Sequence, residues 1–353
     1  MIEIKRLNDT HQAIWDNYVD QCDEATPYHR FAWGQAVKAS YGFDTHYLGA
    51  FEGDKLVGVL PLVEMKIPLK GNSYVAAPYC DAAGPLAESQ SVVDALRTAA
   101  VEVSTDTNSP LEIRNASNVI IAPEKLIGSE KVRMLLNLEA DAEQQMAAFK
   151  SKLRSQIRKA EKNGLNAGVF RFESSAKFEE KLAQFYEVIS LNMRSLGSPV
   201  HSKEWFKQVL KNYQDKAYLA LVYSDNVAVG GGIVLLNGNA ASIPWASTKS
   251  DYNRLAPNML LYWTVISEAI NSGASTFDFG RSTAFEGTYN FKKQWGASPS
   301  YLDWQSYKDG TEQPESAESK NGKLRQLVEA IWKKLPLGLV NALGPKIRKY
   351  VSL

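Results

Sequence analysis

Residues 27–41, PYHRFAWGQAVKASY, and residues 199–213, PVHSKEWFKQVLKNY, are two copies of one segment. Five of their fifteen positions are identical at a constant offset of 172 residues. The identical pairs are Pro27/Pro199, His29/His201, Trp33/Trp205, Val37/Val209 and Tyr41/Tyr213. A repeat of this length fixes the architecture before any local element is assigned. We interpret the repeat as a duplication and expect a shared structural role for its two histidines.

The similarity continues beyond the two segments with a slip of one residue. LGAFEGDKLVGVLPLVEMK (residues 48–66) and LALVYSDNVAVGGGIVLLNG (residues 219–238) each contain two apolar runs around a polar turn, which predicts a hairpin in both halves. A helix follows in each half (residues 92–103 and 259–271), and then a strand (residues 111–114 and 277–281). This α+β element order resembles the GNAT acyltransferase fold used twice. We therefore expect two tandem GNAT-like domains, at residues 1–148 and 149–310, each a mixed and largely antiparallel sheet flanked by helices.

Composition excludes several functional classes. The 353 residues include 40 basic and 39 acidic side chains, so no overall charge attracts nucleic acid. Two cysteines cannot form a disulfide framework, and the N-terminal residues do not read as a signal peptide. The four histidines lie far apart in the sequence, and we expect no metal site. A cytoplasmic location fits these features.

The densest cluster of candidate site residues is FDFGRSTAFEGTYNFKKQWGA, residues 277–297. A predicted strand places Arg281 at its end, and a short helix places Tyr289 one turn from Lys292 and Lys293. A lysine at this position could stabilise the charge that develops on a carbonyl oxygen during acyl transfer. The alternative is an amphipathic surface helix with exposed lysines. The first half has no counterpart of this segment, which predicts a single active centre.

A second cluster lies on a basic helix between the halves. Arg154 and Arg158 share one face of this helix, which we expect to end at Asn163-Gly164. We hypothesise that the two arginines bind an anionic substrate group such as a diphosphate. The alternative is a solvated helix face.

Several of these motifs together resemble the FemAB-like proteins of bacterial exosortase and PEP-CTERM gene clusters. They are FDFGRST, GTYNFKKQWGA, NMRSLGSPVHSKEWF, LRSQIRKAEKNG and WKKLPLGLVNALGP. Characterised members of the wider FemAB family transfer an amino acid from aminoacyl-tRNA to an amine on a peptidoglycan precursor. In their F-K-x-x-[FW]-G motif the lysine is implicated in catalysis, and here Phe291-Lys292 matches, with Trp295 and Gly296 completing the motif.

The resemblance implies an acyltransferase that forms an amide on a cell-envelope or exopolysaccharide precursor. This precursor can be lipid-linked or not. We expect Lys292, Phe291 and Tyr289 to be catalytic. The expected substrate-binding residues are Arg281, Lys293, Trp295, Arg154, Arg158, Arg194, Trp245 and Asn258.

The acyl donor is either aminoacyl-tRNA or acyl-CoA, and no bound cofactor is expected. The sequence has no room for the helical hairpin that some family members use for tRNA contact. NRLAPNMLLYW, residues 253–263, replaces the glycine-rich pyrophosphate loop of CoA-dependent relatives. A further alternative is a scaffold protein that binds a glycan or an exosortase partner without catalysis.

The C-terminal region divides into a predicted linker (residues 311–322) and a basic amphipathic tail (residues 323–353). The tail places Leu324, Leu327, Ile331, Trp332 and Leu335 on one helical face, with basic residues at Lys333, Lys334, Lys346, Arg348 and Lys349. This pattern suits either a helix on the inner membrane surface or a helix docked on the protein core.

Overall fold

The computed structural model describes residues 1–68, 71–128, 130–314 and 322–352, with side chains from residue 326 onward in the last range. The strands in these residues are β1 (Ile2–Leu7), β2 (Asp44–Glu52), β3 (Lys55–Ile67), β4 (Gly71–Val75), β5 (Leu86–Ala87), β6 (Leu111–Ile120), β7 (Lys131–Asn137), β8 (Asn166–Phe170), β9 (Ala217–Ser224), β10 (Val227–Asn237), β11 (Ala240–Thr248), β12 (Thr276–Thr283), β13 (Ser298–Lys308) and β14 (Thr311–Gln313). The α-helices are α1 (Gln12–Gln21), α2 (Phe31–Tyr41), α3 (Gln90–Asp106), α4 (Ala142–Ala148), α5 (Ser151–Lys162), α6 (Ala176–Leu196), α7 (Lys203–Tyr213), α8 (Pro257–Asn271), α9 (Gly287–Gln294), α10 (Gly322–Trp332) and α11 (Leu337–Arg348).

The sequence repeat forms the contact between the two halves. Helices α2 and α7 occupy equivalent places in the repeat and pack against each other. Trp33 and Trp205 meet edge to face with ring centroids 5.2 Å apart. The Tyr213 hydroxyl donates to the Pro27 carbonyl at 2.6 Å. The duplicated segments therefore pack against each other where the two halves meet.

The two repeat histidines are buried. The Nδ1 atom of His29 accepts the Thr26 backbone N–H at 3.0 Å, and its Nε2 lies 3.0 Å from the Gly84 carbonyl. His201 Nδ1 lies 2.7 Å from the Tyr41 hydroxyl. Burial lowers the pKa of His29 to about 4 and the pKa of His201 well below its usual value. This geometry agrees with the structural role expected for both.

One continuous sheet joins the halves. Its order is β1-β2-β3-β4-β6-β13-β7-β12-β11-β10-β9-β8, with β5 on β3 and β14 on β13. Strand β13 of the second half lies between β6 and β7 of the first half, and β7 in turn pairs with β12. The halves thus exchange their last strands, and the sheet runs without a break past the expected domain boundary at residue 148.

Strands β11 and β12 diverge at the centre of the second half. They pair in parallel only from Ala240↔Thr276 to Ser242↔Asp278, although both continue for several residues. Helix α8 leads from β11 to β12, and α9 follows β12. The divergence leaves the end of β12 without a partner on the β11 side, and this end carries the candidate site.

The C-terminal region differs from its prediction at one end. Residues Thr311–Gln313, expected in the linker, form β14 because they pair with the end of β13. Gly322, the last residue of the expected linker, begins α10. Residues 315–321 of that linker and the Leu324 side chain lie outside the described residues. Of the described helices, none is long and apolar enough to span a bilayer.

The tail is docked on the body of the protein. Val340 is fully buried and Trp332 is 7% exposed, so Trp332 faces the body instead of sharing an outer stripe with Leu327. The Tyr79 hydroxyl donates to the Lys349 carbonyl at 2.5 Å. The Arg348 guanidinium lies 5.7 Å from the Tyr79 ring centroid, and burial lowers its pKa.

Candidate active site

A bulge in β12 shapes the site. The register of β12 against β7 shifts between Asp278 and Arg281, and Gly280 between them has a φ of +74°. A side chain is strained in this left-handed conformation, which glycine adopts freely. The Asp278 Oδ1 atom accepts the Gly280 backbone N–H at 2.7 Å and fixes the bulge. Two consecutive carbonyl groups, those of Gly280 and Arg281, are thereby presented to one side chain.

That side chain is Lys292 of α9. Its Nζ donates to the Gly280 carbonyl at 2.9 Å and to the Arg281 carbonyl at 2.8 Å. An ammonium group has three N–H donors, and the third has no acceptor among the described residues. Lys292 is only 8% exposed. The interpretation of α9 as a surface helix with exposed lysines is therefore wrong for this residue.

Burial also changes the acidity of the lysine. Loss of hydration lowers the pKa of Lys292 to about 8, since a buried ammonium is less stable than a hydrated one. The charges of Asp278 and Asp81 oppose this shift, while Arg281 adds to it. Lys292 is thus a buried donor that remains mostly protonated at neutral pH.

Asp81, contributed by the first half, was not predicted. Its Oδ2 accepts the Arg281 backbone N–H at 3.2 Å, and its Oδ1 lies 3.5 Å from the Arg281 Nε. The Trp304 indole donates to the Asp81 carbonyl at 3.0 Å. The guanidinium carbons of Arg281 and Arg114 lie 4.9 and 4.8 Å from the Trp304 ring centroid. Asp81 lies in a loop without a motif, so no sequence signal identified it.

A buried ion pair supports the bulge from the other side. Both Nε and Nη2 of Arg133 contact the Asp278 Oδ2, at 3.1 and 3.0 Å. The two side chains are 5% and 7% exposed. Arg133 belongs to β7 of the first half, so both halves contribute to the geometry around Lys292.

Three predicted residues on or after α9 line one cavity of about 640 Å³: Tyr289, Lys293 and Trp295. Tyr289 and Trp295 are fully buried, and burial raises the pKa of Tyr289. Lys293 is exposed, with its Nζ 6.0 Å from the Tyr289 ring centroid. Phe291 packs edge to face on Tyr262 at 5.1 Å between ring centroids. Tyr289, Phe291 and Trp295 therefore hold α9 in place, and Lys292 points away from this cavity to the bulge.

Arg154 and Arg158 lie together, as predicted, and α5 ends at Lys162 with Asn163 as its cap. They line a second cavity of about 690 Å³ with Glu143 and Trp263. The Arg154 Nη1 donates to the carbonyls of Ala147 and Phe149, at 2.9 and 2.6 Å, at the end of α4. Arg154 is therefore partly engaged in holding α4.

The structure does not bring the other three predicted residues to Lys292. Trp245 stacks on Trp33 at 6.0 Å, inside the aromatic cluster between the halves. Arg194 lies in the last turn of α6, and Asn258 lies in the first turn of α8. Within the described residues, no group of histidine, cysteine and acidic side chains could hold a metal ion.

Comparison with protein families gives one match, in the second half. Residues 151–293 match the family described as acetyltransferase (GNAT) domain. This match includes Lys292 and ends at Lys293. No curated protein matches the chain.

Solved structures show the fold of the whole chain. The crystal structure of FemX superposes with a TM-score of 0.67 at 15% identity, covering 93% of this chain and 100% of that chain. The C-terminal domain (DUF2156) of a protein assigned as a lysylphosphatidylglycerol synthetase from Agrobacterium fabrum has a TM-score of 0.53 at 13% identity, over 92% and 96% of the two chains. A tandem GNAT protein from the clavulanic acid biosynthesis pathway has a TM-score of 0.53 at 12% identity, over 90% and 100%. The predicted α+β fold of tandem GNAT-like units is confirmed.

Proposed function

We propose that this protein is an acyltransferase that forms an amide on an amine acceptor, with Lys292 as its catalytic residue. The observation that carries the proposal is the buried Lys292 ammonium, held by two carbonyls of the β12 bulge with one N–H left for another acceptor. A fixed cationic donor in a site of low polarity stabilises a developing oxyanion more strongly than water does. The GNAT-like fold supports the same class of reaction.

In the proposed reaction an acceptor amine attacks the carbonyl carbon of an activated ester or thioester. The C–N bond forms, and the carbonyl oxygen becomes an oxyanion that accepts the third Lys292 N–H. Collapse of this intermediate breaks the C–O or C–S bond and restores the carbonyl. The proton of the amine passes to the leaving oxygen, or to water when a thiolate leaves. Alignment of the two substrates supplies a further part of the acceleration.

Asp81 and Arg281 position the site. The Asp81 carboxylate holds the Arg281 backbone N–H, and this fixes the carbonyl that binds Lys292. The Arg281 guanidinium, which lies beside Asp81 and over the Trp304 ring, adds a second positive charge near Lys292. Both halves thus contribute to the proposed centre, as the fused sheet requires.

For the substrates, we propose an aminoacyl or acyl donor and an acceptor that is a cell-envelope or exopolysaccharide precursor. The resemblance to FemAB-like proteins and the fold shared with FemX support an aminoacyl donor. The match to the acetyltransferase (GNAT) domain supports acyl-CoA as the second candidate. The association with exosortase and PEP-CTERM genes is a further prediction of the same resemblance.

A two-donor transfer assay tests the proposal. Radiolabelled acetyl-CoA and radiolabelled aminoacyl-tRNA are each incubated with the protein and a bacterial envelope-precursor extract, and label in amide linkage is measured. We expect transfer from one donor, and a loss of about 100-fold or more in Lys292→Met, the range typical for removal of an oxyanion donor. The exposed Lys177 supplies the matched control, Lys177→Met.

Thermal unfolding of each variant separates loss of activity from loss of fold. Equal turnover in the parent and in a folded Lys292→Met variant contradicts the role of Lys292. Transfer from neither donor, with retained binding of the extract's glycan fraction, would favour the scaffold alternative.

A further inference from the structure

The docked C-terminal helices still present apolar side chains to solvent. Leu327, Val328 and Ile331 of α10 and Leu339, Leu343 and Ile347 of α11 are each between 43% and 58% exposed. Leu196, at the end of α6, is 56% exposed. It precedes Gly197, which packs closely against the Glu329 backbone of α10. The spacing of three and four residues places the α10 residues on one side of that helix and the α11 residues on one side of the other. We term the seven exposed apolar residues together the tail face.

The tail face is separate from the surface by which the helices dock. Helix α11 buries Val340 and packs Gly344 against Val200, while α10 buries Trp332. The Ser352 carbonyl accepts the Tyr79 backbone N–H at 2.6 Å and the Arg114 Nη1 at 3.1 Å. The helices therefore already bury one apolar side. Each helix therefore also exposes an apolar side to solvent, and exposed apolar clusters on a folded protein mark interaction surfaces.

The charge of the chain is distributed unevenly around this face. Residues 323–353 carry seven basic side chains and the single acid Glu329, which leaves 33 basic and 38 acidic residues in the rest of the chain. Lys333, Lys334 and Lys346 are exposed, whereas Glu329 is partly buried against Gly197. The exposed lysines Lys333, Lys334 and Lys346 thus lie in the same C-terminal segment as the exposed apolar residues.

We propose that the tail face binds the surface of an anionic lipid bilayer. Leucine and isoleucine side chains enter the boundary between headgroups and acyl chains, and neighbouring lysines contact lipid phosphates. A second copy of this chain fits the face less well, because a symmetric contact would bring two clusters of lysines together. The proposal rests on the tail alone and is independent of the reaction at Lys292.

Vesicle co-sedimentation of the full-length protein tests the proposal. Vesicles of equal parts phosphatidylglycerol and phosphatidylcholine are compared with vesicles of phosphatidylcholine alone. We expect binding to the anionic vesicles that weakens as NaCl rises from about 0.05 to about 0.5 M. Leu339→Glu combined with Leu343→Glu should weaken binding by about tenfold or more, since two inserted side chains are lost.

The matched control is Val119→Glu combined with Ile127→Glu, two apolar residues that are 72% and 68% exposed in the first half. This variant should bind vesicles like the parent. Lys333→Gln combined with Lys334→Gln changes only exposed side chains. This variant should also weaken binding to anionic vesicles, and it keeps the test valid if the leucine variant does not fold.

Two results would overturn the proposal. The first is a parent protein that ignores both kinds of vesicle, and the second is equal binding by the parent and the folded tail variants. If the parent ignores vesicles and light scattering detects a dimer that the leucine double variant dissociates, the tail face binds a second copy of the chain.

Discussion

Lys292 should lose its proton near pH 8, because burial removes most of the hydration that stabilises its ammonium. The shift from the ordinary lysine value of about 10.4 corresponds to about 3 kcal/mol of differential stability between the two protonation states. With a pKa of about 8, the protonated fraction falls about tenfold between pH 7 and pH 9. A donor to an oxyanion must be protonated, so turnover limited by this step should fall with it.

Nuclear magnetic resonance of ¹⁵N-labelled lysine side chains measures this pKa directly. The Lys292 signal is assigned by its absence from Lys292→Arg, and the remaining lysine signals serve as an internal reference. We expect one Nζ signal to titrate near pH 8. Asp81→Asn should lower the pKa of Lys292 further, and Arg281→Gln should raise it, because these residues shift it in opposite directions. A Lys292 signal that titrates with the bulk of the lysines would refute the reasoning.

Protein stability gives an independent readout of the same shift. Because the pKa of Lys292 is lower in the folded state, the unfolded state binds more protons between about pH 8 and about pH 10.4. The free energy of unfolding of the parent should therefore rise with pH across this window, relative to Lys292→Met. Urea denaturation at several pH values measures the difference. If the difference in unfolding free energy between the parent and Lys292→Met does not change with pH, Lys292 is hydrated in solution.

Two further substitutions test the support of the site. Asp278→Asn should lower the free energy of unfolding by about 3 to 5 kcal/mol in urea denaturation, since it leaves the buried Arg133 guanidinium without its counter-charge. A loss below about 1 kcal/mol would show that water reaches the ion pair. Gly280→Ala should lower the free energy of unfolding by about 1 kcal/mol or more because residue 280 has a φ of +74°. It should reduce transfer more strongly than stability, because the bulge aims both carbonyls at Lys292. Unchanged transfer in Gly280→Ala would mean that the bulge has no part in the site.

Local patterns in the sequence were sufficient to predict the repeated helix, the hairpin that follows it and the tandem architecture. The repeat predicts two equivalent helices, and α2 and α7 begin and end at the same offset of 172 residues. The hairpin predicted over residues 219–238 is present as β9 and β10. The glycines of β10 pack closely, since a Cβ added at Gly231 would lie only 2.9 Å from the Leu221 side chain. These features follow from periodicity and turn residues, which act over a few residues of chain.

The environment of Lys292 required the assembled structure. In a helix sequence a buried lysine and an exposed lysine look alike, because the long side chain can reach either solvent or a buried acceptor. Its acceptors exist because β12 bulges, and the bulge depends on Asp278, Arg133 and Asp81 from separate segments. The exchange of strands between the halves also depends on the tertiary structure, since β13 pairs between two strands that precede it by more than a hundred residues. Pairing at such distances depends on which edges the folded halves leave open, and neither composition nor periodicity encodes those edges locally.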